Sequence, residues 1–133
     1  MAIHDIWESK STVITQYSGR VNGQELIEAS LKKSGDGRFD DVRIIIGDWS
    51  RISHVDITPE DVKALVACLR SISKINPYAI NASVINQDET GNALAAWYKF
   101  LADDLSWKIG IFHTMDEARA WCEAILIKKA ANH

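Results

Sequence analysis

Cysteine, proline and glycine are scarce in this 133-residue chain, which holds two, two and seven of them respectively. Cys68 and Cys122 lie too far apart in sequence to form a metal knuckle, and two cysteines make no disulfide framework. With no internal repeat, low-complexity tract or Pro/Gly/Ser-rich linker, nothing divides the chain, and residues 1–133 read as one domain. No segment reaches the ~18 consecutive apolar residues of a membrane span. Met1 to Lys10 carry Asp5 and Glu8 and lack the basic start and apolar stretch of a signal peptide. A cytoplasmic protein without integral membrane association is expected. Basic clusters are missing too. Net charge is −3, and the only basic doublets, Lys32-Lys33 and Lys128-Lys129, read as solvated helix ends. A nucleic-acid partner, which needs clustered Lys and Arg to neutralise phosphates, is not expected.

The composition that remains is that of an ordinary globular protein, 47% apolar and 25% charged. Ile3 to Trp7 and Val13 to Tyr17 are short and β-branched and read as an opening hairpin, after which Ser18 to Val21 turns the chain away. Asn22 with Glu25 predicts a capped helix running to about Lys33, closed by Ser34-Gly35-Asp36-Gly37. Val42 to Ile46 is a compact apolar run suited to a strand covered on both faces. Thr58-Pro59-Glu60-Asp61 then supplies a capping hydroxyl, a proline at the first helical position and two acids facing the positive end of the helix dipole. Leu65, Cys68, Leu69 and Ile72 follow at helical spacing.

Asn76-Pro77 breaks that helix, Ala79 to Ile85 reads as a buried strand, and Thr90 to Ala102 as a helix with Leu94, Trp97 and Leu101 inward. Trp107 to Phe112 is the last strand. Thr114 with Glu117 starts a final helix that turns Ala118, Trp121, Cys122 and Ile125 inward. The order is ββαβαβαβα: an α/β domain with a mixed, mostly parallel sheet, helices packed on it, and the hairpin as its antiparallel element.

Chemistry-bearing residues are thinly spread. Both cysteines fall on apolar helix stripes, where the thiol behaves as a small hydrophobe. His54 and His113 match no metal-ligand spacing, and Gly35 and Gly37 follow a helix instead of preceding one, as a phosphate loop must. No catalytic residue, metal site or cofactor is expected. The informative segment is Asp48 to Pro59, read as a loop between a buried strand and a capped helix. In open α/β sheets ligands gather at the carboxyl ends of strands. Asp48, Trp49, Ser53, His54 and Thr58 therefore form the candidate ligand- or partner-binding site, with Asn86 and His113 brought alongside from the later strand ends.

Asp48, Ser50, Ile52, Val55, Asp56 and Thr58 fall in step with a pattern near D-L-S-x-V-x-x-I-D-S-S-G, so the segment resembles the motif of STAS domains, the anti-sigma-factor antagonist fold. The close, Phe112 to Ala118 with Trp121, resembles the end of the SpoIIAA-like group. The resemblance implies a STAS-like fold and a non-enzymatic bacterial regulatory or protein-interaction module. In the phosphorylated antagonists the serine after the second aspartate is the phosphoacceptor, and here that position is Ile57, with Pro59 in place of the motif glycine. Thr58, the neighbouring hydroxyl, is expected to be a helix cap. The group is also similar to SEC14-type lipid-binding domains, which implies the alternative of a carrier or sensor for a small apolar or amphipathic ligand, in a crevice lined by Trp49, Asn86 and His113. Open sheet edges and apolar content make a homodimer the expected assembly.

Overall fold

The computed structural model describes residues 2–131. Five strands form one sheet in sequence order: β1 (Ile3–Trp7), β2 (Thr12–Asn22), β3 (Ile44–Asp56), β4 (Ile80–Val84) and β5 (Lys108–Phe112). β1 pairs antiparallel with β2, and every later pairing is parallel, as the alternation of strands and helices requires. The helices are α1 (Gly23–Ser34), α2 (Pro59–Ile75), α3 (Glu89–Leu101) and α4 (Met115–Ala131), with a short 3-10 turn at Gly37–Asp41. No helix among the described residues is long and apolar enough to cross a membrane.

The helices begin where the capping chemistry places them. Asn22 Oδ1 accepts from the Glu25 N–H at 2.9 Å while the Asn22 N–H donates to Glu25 Oε1 at 3.2 Å. Thr58 and Asp61 make the same reciprocal pair at 3.1 and 3.0 Å, with Pro59 at the first helical position. Asp88 caps α3 through the Gly91 N–H, and Thr114 Oγ1 accepts from the Glu117 N–H. Each cap satisfies a donor that would otherwise have no intrahelical partner.

Three crossovers in succession put α1, α2 and α3 on one face of the sheet, as like-handed connections in sequential strand order must, and α4 returns to the other. The α4 face is closed by Ile14, Ile44, Ile46, Ile80, Ala82 and Val84 against Ala118 and Cys122. The opposite face is larger. It carries Val13, Tyr17 and Ile45 from the sheet against Leu26, Val62, Leu65, Val66, Leu69 and Ile72 from the helices. Asn76 locks the end of α2 to this core: its side-chain amide donates to the carbonyls of Phe39 and Val42, both at 2.9 Å, and its carbonyl accepts from Trp107 Nε1.

Two sequence expectations are corrected. Ser18 to Val21 does not turn the chain away; β2 stays extended to Asn22. Asp48 to Asp56 is accordingly no loop, because β3 runs on through it and pairs with the prolonged β2, Ser18 facing Arg51 and Asn22 facing Asp56. The physical reason is mutual: each strand supplies the other's missing backbone partners beyond the rest of the sheet. Register shifts between Gln16 and Ser18 and between Gly19 and Arg20 let the longer β3 keep pace, and Gly19 takes the positive φ of 64°.

Candidate functional site

The parallel register aligns one row of inner-face residues across the sheet: Asp5 faces Thr15, Thr15 faces Gly47, Gly47 faces Ser83, and Ser83 faces Ile111. Four of these five side chains are small or polar, so the middle of the face lacks the bulk that would fill the space beneath the helices. The result is a half-open cavity of about 150 Å³ between the sheet and the helices. Gly47 and Ser83 form its floor, Leu26 and Lys33 of α1 and Leu65 and Leu69 of α2 enclose it, and α3 roofs it with Gly91, Leu94 and Tyr98. The roof packs lightly, since no residue of α3 is fully buried.

At the carboxyl end of the strands the wall is aromatic. The bulge in β3 next to Asp48, whose carboxylate accepts from the Ser50 N–H at 3.0 Å, turns Trp49 inward onto Tyr17. The two rings stack with centroids 3.8 Å apart and planes 11° from parallel. Ile52, Val55 and Ile57 continue this wall, and the exposed Asn86 and Asp88 stand beside it.

The polar groups lie at the α1 end and on the floor. Asp5 Oδ1 accepts from the Thr15 hydroxyl at 2.7 Å and lies 3.9 Å from Lys33 Nζ. Asn81 donates to the Ile45 carbonyl at 3.2 Å and accepts from the Tyr98 hydroxyl at 2.6 Å. Burial holds the Lys33 ammonium below its ordinary pKa, with Asp5 opposing, and burial pushes the phenols of Tyr17 and Tyr98 upward.

Of the seven candidate residues, Trp49 and Asn86 line the cavity, and Asn86 Nδ2 donates to the Ser50 carbonyl beside Trp49 at 3.3 Å. His113 sits next to this corner but outside the lining, donating through Nδ1 to the Ile85 carbonyl at 3.2 Å. Asp48 serves its own turn, and Thr58 caps α2. Ser53 and His54 are exposed on the β3 extension, where His54 Nε2 lies 3.0 Å from Asp56 and Arg20 binds the same carboxylate at 3.1 Å. The structure thus divides the group into a cavity wall and an outer polar face.

Sequence reasoning missed Lys33, Tyr17, Asn81, Ser83 and Tyr98. Lys33 is the clearest correction: read as part of a solvated helix end, it is only 7% exposed and points under α1 toward Asp5. Its neighbour Lys32 is the exposed member of the doublet. A signal for the others was present, since Asn81 and Ser83 are polar at a spacing of two inside an apolar strand run, and so share a face. Both thiols are raised by burial, Cys122 to about 11, in keeping with packing. Among the described residues no group of three or more His, Cys, Asp or Glu side chains is placed to hold a metal ion.

No protein-family model matches this chain, and no curated protein matches it significantly. Among solved structures it is similar to the anti-sigma-factor antagonist SpoIIAA in its unphosphorylated form, with a TM-score of 0.58 at 17% identity, over 96% of this chain and 98% of that one. It is also similar to the phosphorylated form of SpoIIAA, described as a Bacillus cell fate determinant, with a TM-score of 0.54 at 14% identity, over 90% and 97% of the two chains. The fold is STAS-like, a mixed α/β domain with a five-stranded sheet and four helices.

Proposed function

We propose that this chain is a non-enzymatic regulatory module of the STAS-like type whose input is a small, largely apolar ligand held in the cavity between the sheet and α3. The observation that carries the reading is the cavity itself. It is a concave space of about 150 Å³, walled largely by apolar side chains with a few polar groups among them, which is the usual make-up of a small-molecule site. An apolar space of about 150 Å³ accommodates a benzene-sized guest. The lightly packed α3 offers a way in, and a guest touching α3 and the Trp49 corner would bias how both are presented to a partner.

Native mass spectrometry of the protein purified from its own host tests this. A small molecule retained by the parent and lost from Ser83→Leu, which fills the floor, supports it. A parent free of any small molecule that also fails to take up toluene contradicts it.

A second reading, docking of a protein partner on the β3 extension, is favoured by the exposed Arg20, Ser53, His54 and Asp56 and by the fold shared with an anti-sigma-factor antagonist. A co-purifying chain released by Ser53→Arg would support it. The two readings are compatible, the cavity serving as input and the extension as output in a cytoplasmic protein.

A further inference from the structure

We propose that the ligand carries an oxygen acceptor, carbonyl or carboxylate, on a compact apolar body, and that Lys33 holds that oxygen. This rests on the cavity being the binding site and specifies the chemistry of what enters it. The Lys33 ammonium offers three donors. Its nearest acidic oxygen, Asp5 Oδ1, is 3.9 Å away, within ion-pair reach but too far for a hydrogen bond, and that oxygen already receives the Thr15 hydroxyl at 2.7 Å. Among the described residues nothing accepts a hydrogen bond from Lys33, although the side chain is only 9% exposed.

The other polar groups around the cavity divide into two sets. Asn81, Tyr98, Ser30 and Trp107 are paired internally. Lys33, the Trp49 indole N–H and the hydroxyls of Tyr17 and Ser83 make no hydrogen bond within the described chain, and all four residues line the cavity. Among the described residues no fully buried side-chain nitrogen or oxygen lacks a partner, so these atoms open onto the space of the cavity, and a guest's acceptor that reaches them makes its hydrogen bond in a sheltered, largely apolar surrounding.

Asp5 already balances the positive charge. What Lys33 adds is therefore directed N–H donors, which suit a ketone, aldehyde or amide oxygen as well as a carboxylate. The apolar body of the guest would rest on Gly47 and under Leu65, Leu69 and Leu94. The volume limits it to about one ring or a short branched chain.

The experiment measures binding of toluene, acetophenone and benzoate by calorimetry to the full chain, to Lys33→Met and to Ser83→Leu, each first shown to be folded by circular dichroism. The expected result is that acetophenone or benzoate binds the parent at least tenfold more tightly than toluene. Lys33→Met should erase that margin, with toluene still bound, and Ser83→Leu should weaken all three. The stronger of the two oxygen probes identifies the acceptor as carbonyl or carboxylate. A margin that is absent in the parent, or that survives in Lys33→Met, overturns the assignment to Lys33 while toluene binding keeps the cavity reading intact. Failure of all three probes on the parent overturns both. The Lys33 Cε resonance of the parent gives the same answer without a variant: it must shift with the oxygen-bearing probe and stay in place with toluene, and a resonance that ignores both overturns the assignment.

Discussion

The indole of Trp49 lies flat on the ring of Tyr17, 3.8 Å away, above the bare Cα of Gly47. A Cβ at position 47 would stand 3.4 Å from the indole nitrogen and 3.5 Å from the Tyr17 ring, ordinary van der Waals contact, so the stack lies directly over the floor of the cavity. One strand bulge and one aromatic stack together close the strand-end wall.

Because the cavity exists for want of side-chain volume on the floor, Ser83→Leu should stabilise the protein, by about 1 kcal/mol, as cavity-filling changes commonly do. Urea denaturation measures it. A loss of stability would mean that the helices above cannot accept the added volume.

Asn76→Ala should cost about 2 to 3 kcal/mol, because it strands the carbonyls of Phe39 and Val42, which this buried amide satisfies. The same denaturation experiment reads it. A cost below ~1 kcal/mol would show water replacing the amide.

Thr58→Ala should cost about 1 kcal/mol by removing the cap on the Asp61 N–H. Phosphopeptide mapping from the native host should find Thr58 unmodified, since the residue at the antagonists' phosphoacceptor position is Ile57 and the neighbouring hydroxyl is engaged in capping. Stoichiometric phosphate on Thr58 would contradict this and restore a phosphorylation switch.

Glu8 and Arg119 form a paired contact of 2.6 and 2.7 Å between the β1 to β2 turn and α4, and the guanidinium holds the Glu8 carboxyl below its ordinary value. A carboxyl lowered in the folded state contributes stability that is present above the unfolded pKa of 4.5 and is lost as pH falls through the lower folded value. Both groups are more than a third exposed, so solvent screening limits the contribution to about 0.5 kcal/mol. Arg119→Gln should narrow the stability gap between pH 6 and pH 3 by that amount, and an unchanged gap would show the pair to be energetically silent.

The order of elements, the mixed and mostly parallel sheet and the capped helices were legible because they rest on local signals: Asn22, Thr58 and Thr114 as caps, Asn76-Pro77 as a break, and strict alternation of strand and helix. The extension of β3 was not. Asp48 to Asp56 is polar enough to read as a loop, and only its pairing with β2, a long-range event, makes it a strand. Half of the site went unseen for the same reason. Trp49 and Asn86 follow apolar strand runs and could be found from position alone, whereas Lys33 joins the cavity only through the packing of α1 over β1, which brings it to Asp5. In the sequence it is one of two adjacent lysines, and helical phase alone did not reveal which of them turns inward.

The most direct test of the central claim is a ¹H–¹⁵N NMR titration of the parent with toluene, following the Trp49 indole and the amides of Gly47, Ser83 and Gly91, which surround the cavity, against those of Ser53 and His54, which face solvent. Saturable shifts confined to the first group are the predicted result. Shifts confined to Ser53 and His54, or none at any of these positions, would contradict it.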